Sequence, residues 1–129
     1  MYNFSVTEEG RGEIQIDNFR EQFSVDFGFW TKDEYETHWQ QASRSLEAGQ
    51  SVSFIQSMHD PKSANFYTIW AAYPAEGGVI FQEQILFLEE LGRDFNIKHL
   101  HLNALPYSTF SEDGEPISQW RTQIEVPKC

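Results

Sequence analysis

The fold is decided by three consecutive runs. They are Phe66-Tyr67-Thr68-Ile69-Trp70-Ala71-Ala72-Tyr73, then Pro74-Ala75-Glu76-Gly77-Gly78, then Val79-Ile80-Phe81-Gln82-Glu83-Gln84-Ile85-Leu86-Phe87-Leu88. The first is apolar on both faces, with Trp70 pointing one way and Ile69 and Ala71 the other, as in a central strand covered on both sides. The second carries the residues of a hairpin connection. In the third, Val79, Phe81, Ile85 and Phe87 share one phase of a long strand. Glu83 falls in that phase and breaks it. A carboxylate there sits at a sheet edge, pairs with Lys or Arg, or meets a ligand.

Upstream, the clearest element is a helix after Trp30. Thr31 is an N-cap, Glu34 completes a capping box, and Asp33 and Glu34 put negative charge in the first turn. Tyr35, Trp39, Ala42 and Leu46 recur at helical spacing and form a core-facing stripe, and Gly49 stops the helix. Ser51 to Met58 reads as a strand ending in the loop His59 to Asn65. Nearer the start, Gly12 to Asp17 and Phe23 to Phe27 alternate as short strands, whereas residues 1–11 read as a loosely ordered segment.

Downstream, Glu89 to Asn96 reads as a turn or a short helix, and Ile97 to Leu102 alternates like a strand. Ser111 to Pro116 is an acidic turn, and Ile117 to Val126 is a final strand. The expected fold class is α+β: a β-rich antiparallel sheet with one main helix packed on it, in a single domain spanning residues 1–129.

Composition narrows the function. The chain has 129 residues and a 16% aromatic share, enough to build a core. Its net charge of −11 opposes binding to nucleic acid or to an anionic membrane, both of which call for a basic face. Such acidity either recruits a basic protein partner or only keeps the chain in solution. No run reaches the roughly 18 apolar residues of a membrane span. The start lacks the pattern of a secretory signal, so the expected location is the cytoplasm. The lone cysteine, Cys129, can form no internal disulfide.

No catalytic constellation stands out. His99 and His101, two apart, would share a strand face and could hold a metal, but spacing fixes no third ligand. The alternative to a binding protein is a small acidic enzyme or ligand-binding domain using Glu83 with His99 or His101. The expected site is therefore a recognition surface on exposed carboxylates: Asp60, Glu83, Glu89, Glu90, Asp94, Glu112, Asp113 and Glu115. No catalytic residue, metal or cofactor is expected.

One further pattern spans most of the chain. It comprises Phe29-Trp30 with Tyr35 and Trp39, then Ser57-Met58-His59-Asp60-Pro61, then Asn65-Phe66 with Trp70 and Tyr73. Val79 with Phe81-Gln82 follows, then Leu86-Phe87-Leu88-Glu89-Glu90, and finally Gly114 with Ile117-Ser118-Gln119-Trp120. Together, from about Ile14 to Ile124, these resemble the immunity proteins of bacterial contact-dependent growth inhibition systems, in particular the Enterobacter cloacae type. The pattern is not followed between Gly92 and Ser111, and Gln119 stands where it has an acidic residue. The resemblance implies a fold similar to the whirly single-strand binders without their activity. It also implies a job: binding and blocking the C-terminal toxin domain of a large secreted effector, a domain that is often a nuclease. The net charge of −11 points to a basic domain as that partner, and a monomer is the expected state.

Overall fold

Residues 66–87 form the hairpin around which everything else is arranged. β5 (Phe66–Ala75) and β6 (Gly78–Phe87) pair antiparallel from Phe66↔Phe87 to Ala75↔Gly78. The structure, a computed structural model, describes residues 1–91, 95–96, 98–110 and 113–123, without the side chain of Glu90. Glu76 and Gly77 make the two-residue turn, and Gly77 takes φ +75°, a left-handed conformation that costs glycine little. Gly78 answers a different demand, since a Cβ there would lie 2.2 Å from the carbonyl oxygen of Thr122.

β4 (Val52–Ile55) and β7 (Gln119–Thr122) flank the hairpin, giving a four-stranded sheet in the order β4-β5-β6-β7. Both are short. β4 pairs with Ile69–Ala72 and β7 with Val79–Gln82, so the far end of the hairpin extends beyond its neighbours. The expected strand from Ile117 is thus narrower, and its proposed end at Ile124 to Val126 lies outside the described residues.

The α+β class stands as expected, but the strands divide between two sheets. β1 (Tyr2–Val6), β2 (Arg11–Ile16) and β3 (Phe19–Ser24) form an antiparallel meander stacked on one face of the larger sheet. This corrects the expectation of a loosely ordered start. Asn3 and Ser5 are exposed, but Tyr2, Phe4 and Val6 alternate inward, and that period of two makes a strand. Phe4 stacks on Phe54 with ring centroids 4.3 Å apart, and Tyr2 lies 4.9 Å from Phe81. β3 also begins four residues before the predicted Phe23, bringing Phe19 to 4.4 Å from Trp120.

α1 (Lys32–Glu47) follows the sequence reading closely. Thr31 and Glu34 form the reciprocal capping box, and Tyr35, Trp39, Ala42 and Leu46 are buried together with His38. The helix lies along the outer edge of β4 and closes it with side chains. The Ile55 amide donates to His38 Nε2 at 2.9 Å, and Trp39 Nε1 donates to the Ile55 carbonyl at 2.9 Å. Tyr35 adds a third tie, its hydroxyl donating to the Asp26 carbonyl at 2.5 Å and accepting from the Met58 amide at 2.7 Å. The two bonds to Ile55 satisfy groups that an edge strand otherwise leaves open.

The second face of the large sheet is crossed by the segment before β7. Its polar residues hold the crossing chain: Ser53 Oγ donates to the Asn103 carbonyl, Tyr73 to Leu105 at 2.9 Å, and Gln82 to Ser108 at 2.8 Å. The strand expected over Ile97–Leu102 is instead a 3-10 helix at Leu100–Leu102, and Ile97 lies outside the described residues. Asparagine side chains explain the difference. Asn103 accepts from the Asn96 amide at 2.7 Å and donates to the Asn96 and Leu100 carbonyls, while Asn96 accepts from the His99 amide. Such local bonds compete with a strand ladder and here fold the segment on itself. The ambiguous stretch after β6 opens as a short helix, α2 (Leu88–Leu91).

Candidate functional site

Antiparallel pairing brings four chain segments to one end of the large sheet: the exit of β4, the entry of β5, the exit of β6 and the entry of β7. Of the predicted carboxylates, Asp60, Glu89, Asp113 and Glu115 belong to these connections. Asp60 is exposed in the loop leaving β4, where Asp60 Oδ1 accepts from the Lys62 amide at 3.0 Å. That loop is tied to the sheet by the Tyr67 hydroxyl, which donates to the His59 carbonyl at 3.0 Å. Burial, with Asp60 nearby, pushes this phenol up to about 12. Glu89 is exposed on α2, whose first amide bonds the Asn65 carbonyl at 3.1 Å. Asp113 and Glu115 are exposed in the turn before β7, around Gly114 at φ +78° and beside a bridge between Phe110 and Pro116. Asp94, Glu112 and the side chain of Glu90 lie outside the described residues.

Of the three readings open to Glu83, pairing with Lys or Arg is not found among the described residues. Glu83 projects from β6 toward the three-stranded sheet, accepts from Gln56 Nε2 at 2.9 Å, and meets another carboxylate, Glu21. Burial and then the Glu83 charge raise the Glu21 pKa above the usual carboxylate range. Among the described residues the ion pairs lie elsewhere, at Met1 with Asp17, Lys32 with Glu36 and His59 with Asp26. Two acids thus face each other at the mouth between the sheets.

Beside them lies an apolar strip absent from the predicted site. Phe66, Ile85 and Phe87 are 48%, 51% and 45% exposed, although they continue the phase in which Phe54, Trp70 and Phe81 are fully buried. The Phe66 and Phe87 rings are 6.0 Å apart. Glu21 could have been recognised from sequence had the strand been started at Phe19. It then falls between inward-facing Phe19 and Phe23, breaking phase just as Glu83 does. The exposure of Ile85 and Phe87 carried no such signal, because it depends on where the second sheet stops.

The histidines form a separate group. His38 and His101 lie 6.3 Å apart and His99 and His101 6.0 Å apart, measured between ring centroids. Burial, then the neighbouring His101, takes His38 down to about 3, and burial followed by His99 lowers His101. Neither His99 nor His101 hydrogen-bonds Glu83 among the described residues. Among the same residues no group of three or more His, Cys, Asp or Glu is disposed to hold a metal. Trp30, His38, Met58, Asp60, Lys98 and His101 help line an open groove of about 660 Å³ beside α1. No helix among the described residues is long and apolar enough to cross a membrane.

Fold and surface together define a class: a two-sheet α+β protein with carboxylates and uncovered aromatic side chains gathered at one end. Contiguous exposed apolar side chains rimmed by polar ones are typical of surfaces that meet another macromolecule. The model of the CdiI N-terminal domain family matches residues 25–126, and the chain belongs to that family. It is similar to the protein named immunity protein CdiI from Enterobacter cloacae subsp. cloacae, with 27% identity over 115 residues, 86% of this chain and 77% of that relative. Its fold matches a solved structure titled CdiA-CT/CdiI toxin and immunity complex from Enterobacter cloacae. The TM-score is 0.78 at 21% identity, covering 95% of this chain and 90% of that one.

Proposed function

We propose that this protein is an immunity protein of a contact-dependent growth inhibition system. It binds the C-terminal toxin domain of its cognate effector in the cytoplasm and neutralises it by one-to-one occlusion, itself a monomer. Membership of the CdiI N-terminal domain family over residues 25–126 is the observation that carries this reading. The net charge of −11 supports a finer statement, that the toxin domain is basic and of nuclease type. A site that holds phosphates is rich in cations, and an acidic protein is steered toward that field and excluded from nucleic acid itself.

The test is co-expression with the toxin domain encoded beside this gene. The expected result is full rescue of growth and a one-to-one complex on purification. Toxicity that persists at equal expression would overturn the reading. A nuclease assay on the free toxin domain, repeated with increasing inhibitor, checks the finer statement: cleavage should stop at equimolar ratio.

A further inference from the structure

The β5–β6 overhang and the strand row next to it combine three properties that nothing in the fold requires. Its face toward the small sheet is left uncovered at Phe66, Ile85 and Phe87, whereas its opposite face is buried through Tyr67 and Leu86. Next along the same face, Glu83 meets Glu21 through a carboxyl–carboxylate hydrogen bond, and no Lys or Arg among the described residues pairs with either. The register partner of Glu83 is Trp70, fully buried, whose Nε1–H has no acceptor among the described residues. Apolar surface left in water and like charges held together both cost stability, and both costs fall if a partner covers the strip and supplies a cation.

We propose that this face is the docking surface for the toxin domain. Its occupant is a segment in which an Arg or Lys is flanked by apolar side chains. The cation seats between the Glu21 and Glu83 carboxylates, and the flanking groups lie on Phe66, Ile85 and Phe87. Charge complementarity selects this occupant: two carboxylates without a cation, on a protein of net charge −11, match a basic segment and repel an acidic one. The groove beside α1 is less selective, since Lys62 and Lys98 on its wall offset Asp33, Glu34 and Asp60. The assignment rests on the immunity reading and adds the surface and the partner's chemistry to it.

The experiment measures binding of the purified cognate toxin domain to the full-length protein and four variants, with thermal unfolding of each free protein alongside. Glu21→Gln with Glu83→Gln should weaken binding about tenfold or more, within the range of important interface residues, while the free protein unfolds at an unchanged or higher temperature. Phe87→Ser with Ile85→Ser should weaken it at least as much. Glu76→Gln, in the turn at the opposite end, removes one charge and should leave affinity unchanged. Lys62→Ala, on the groove wall, should do the same. If the wild type fails to bind the toxin domain, the immunity reading fails. If the wild type binds and the first two variants stay within about twofold of it, or if Glu76→Gln matches their loss, this surface is wrong and the immunity reading stands.

Discussion

The two halves of the β5–β6 hairpin are built from the same kinds of side chain and meet opposite fates. Near the turn, Ala72 and Phe81 are sealed beneath the three-stranded sheet. At the far end Phe66 and Phe87, in the same phase of the same strands, are about half exposed. Strand periodicity therefore assigns a side, and a second element decides whether that side is covered. The outer edge of β4 belongs with the covered half, because α1 reaches its backbone through His38 and Trp39. Glu21 and Glu83 mark the boundary between the two regimes.

The largest expected effect contrasts the halves directly. Phe81→Ala removes a fully buried ring and should cost about 3–5 kcal/mol of unfolding free energy. Phe87→Ala should cost under about 1 kcal/mol, since the ring is already partly in water. Chemical denaturation of both variants checks this, and equal losses would break the distinction between the halves.

The covered edge should be sensitive to acid. His38, with a folded pKa of about 3, is far more basic once unfolded, near 6.5. Between those values the unfolded chain takes up a proton that the folded chain refuses, so this contribution to stability is present above pH 6.5 and lost as pH falls. Moving from pH 7 to pH 5 should cost about 2 kcal/mol from this group. Denaturation at both pH values on wild type and on His38→Gln, which retains an acceptor for the Ile55 amide, should show a shallower pH dependence in the variant.

Smaller still is the capping box that positions the covering helix. Thr31→Ala should cost about 1 kcal/mol, and Thr31→Ser should restore most of it, as read by thermal unfolding. The smallest change lies at the boundary. The folded pKa of Glu21 is raised, so its stabilising contribution is present at low pH and lost as pH rises through that value. Glu21→Gln should therefore be neutral to slightly stabilising at pH 7, and that gain should vanish in mild acid. A clear loss of stability at pH 7 would mean the acid pair holds the fold together.

Elements dominated by one periodicity were legible in the sequence. The hairpin announced itself through double-sided apolarity and Gly77-Gly78, and the helix through Thr31, Glu34 and the Tyr35 to Leu46 stripe. The first strand is hard to read from sequence because Tyr2, Phe4 and Val6 alternate over only five residues, and their value lies in remote rings such as Phe54. The segment before β7 departs from its strand-like spacing because Asn96 and Asn103 hydrogen-bond the backbone, a competition that hydrophobic spacing does not register. For the site, carboxylates in connecting loops could be named individually. Their common location follows from strand direction, which places Asp60, Glu89 and Asp113 at one end. The apolar strip was hidden because an exposed Phe87 and a buried Phe81 look alike until the extent of the second sheet is known.

The side-chain closure of β4 also bears on how this protein behaves at high concentration. An amide and a carbonyl pointing outward from a flat strand are the groups through which a second copy would add its own strand, and a third copy after it. His38 and Trp39 occupy the amide and carbonyl of Ile55 from within the chain, so a second copy could add its strand there only by displacing them.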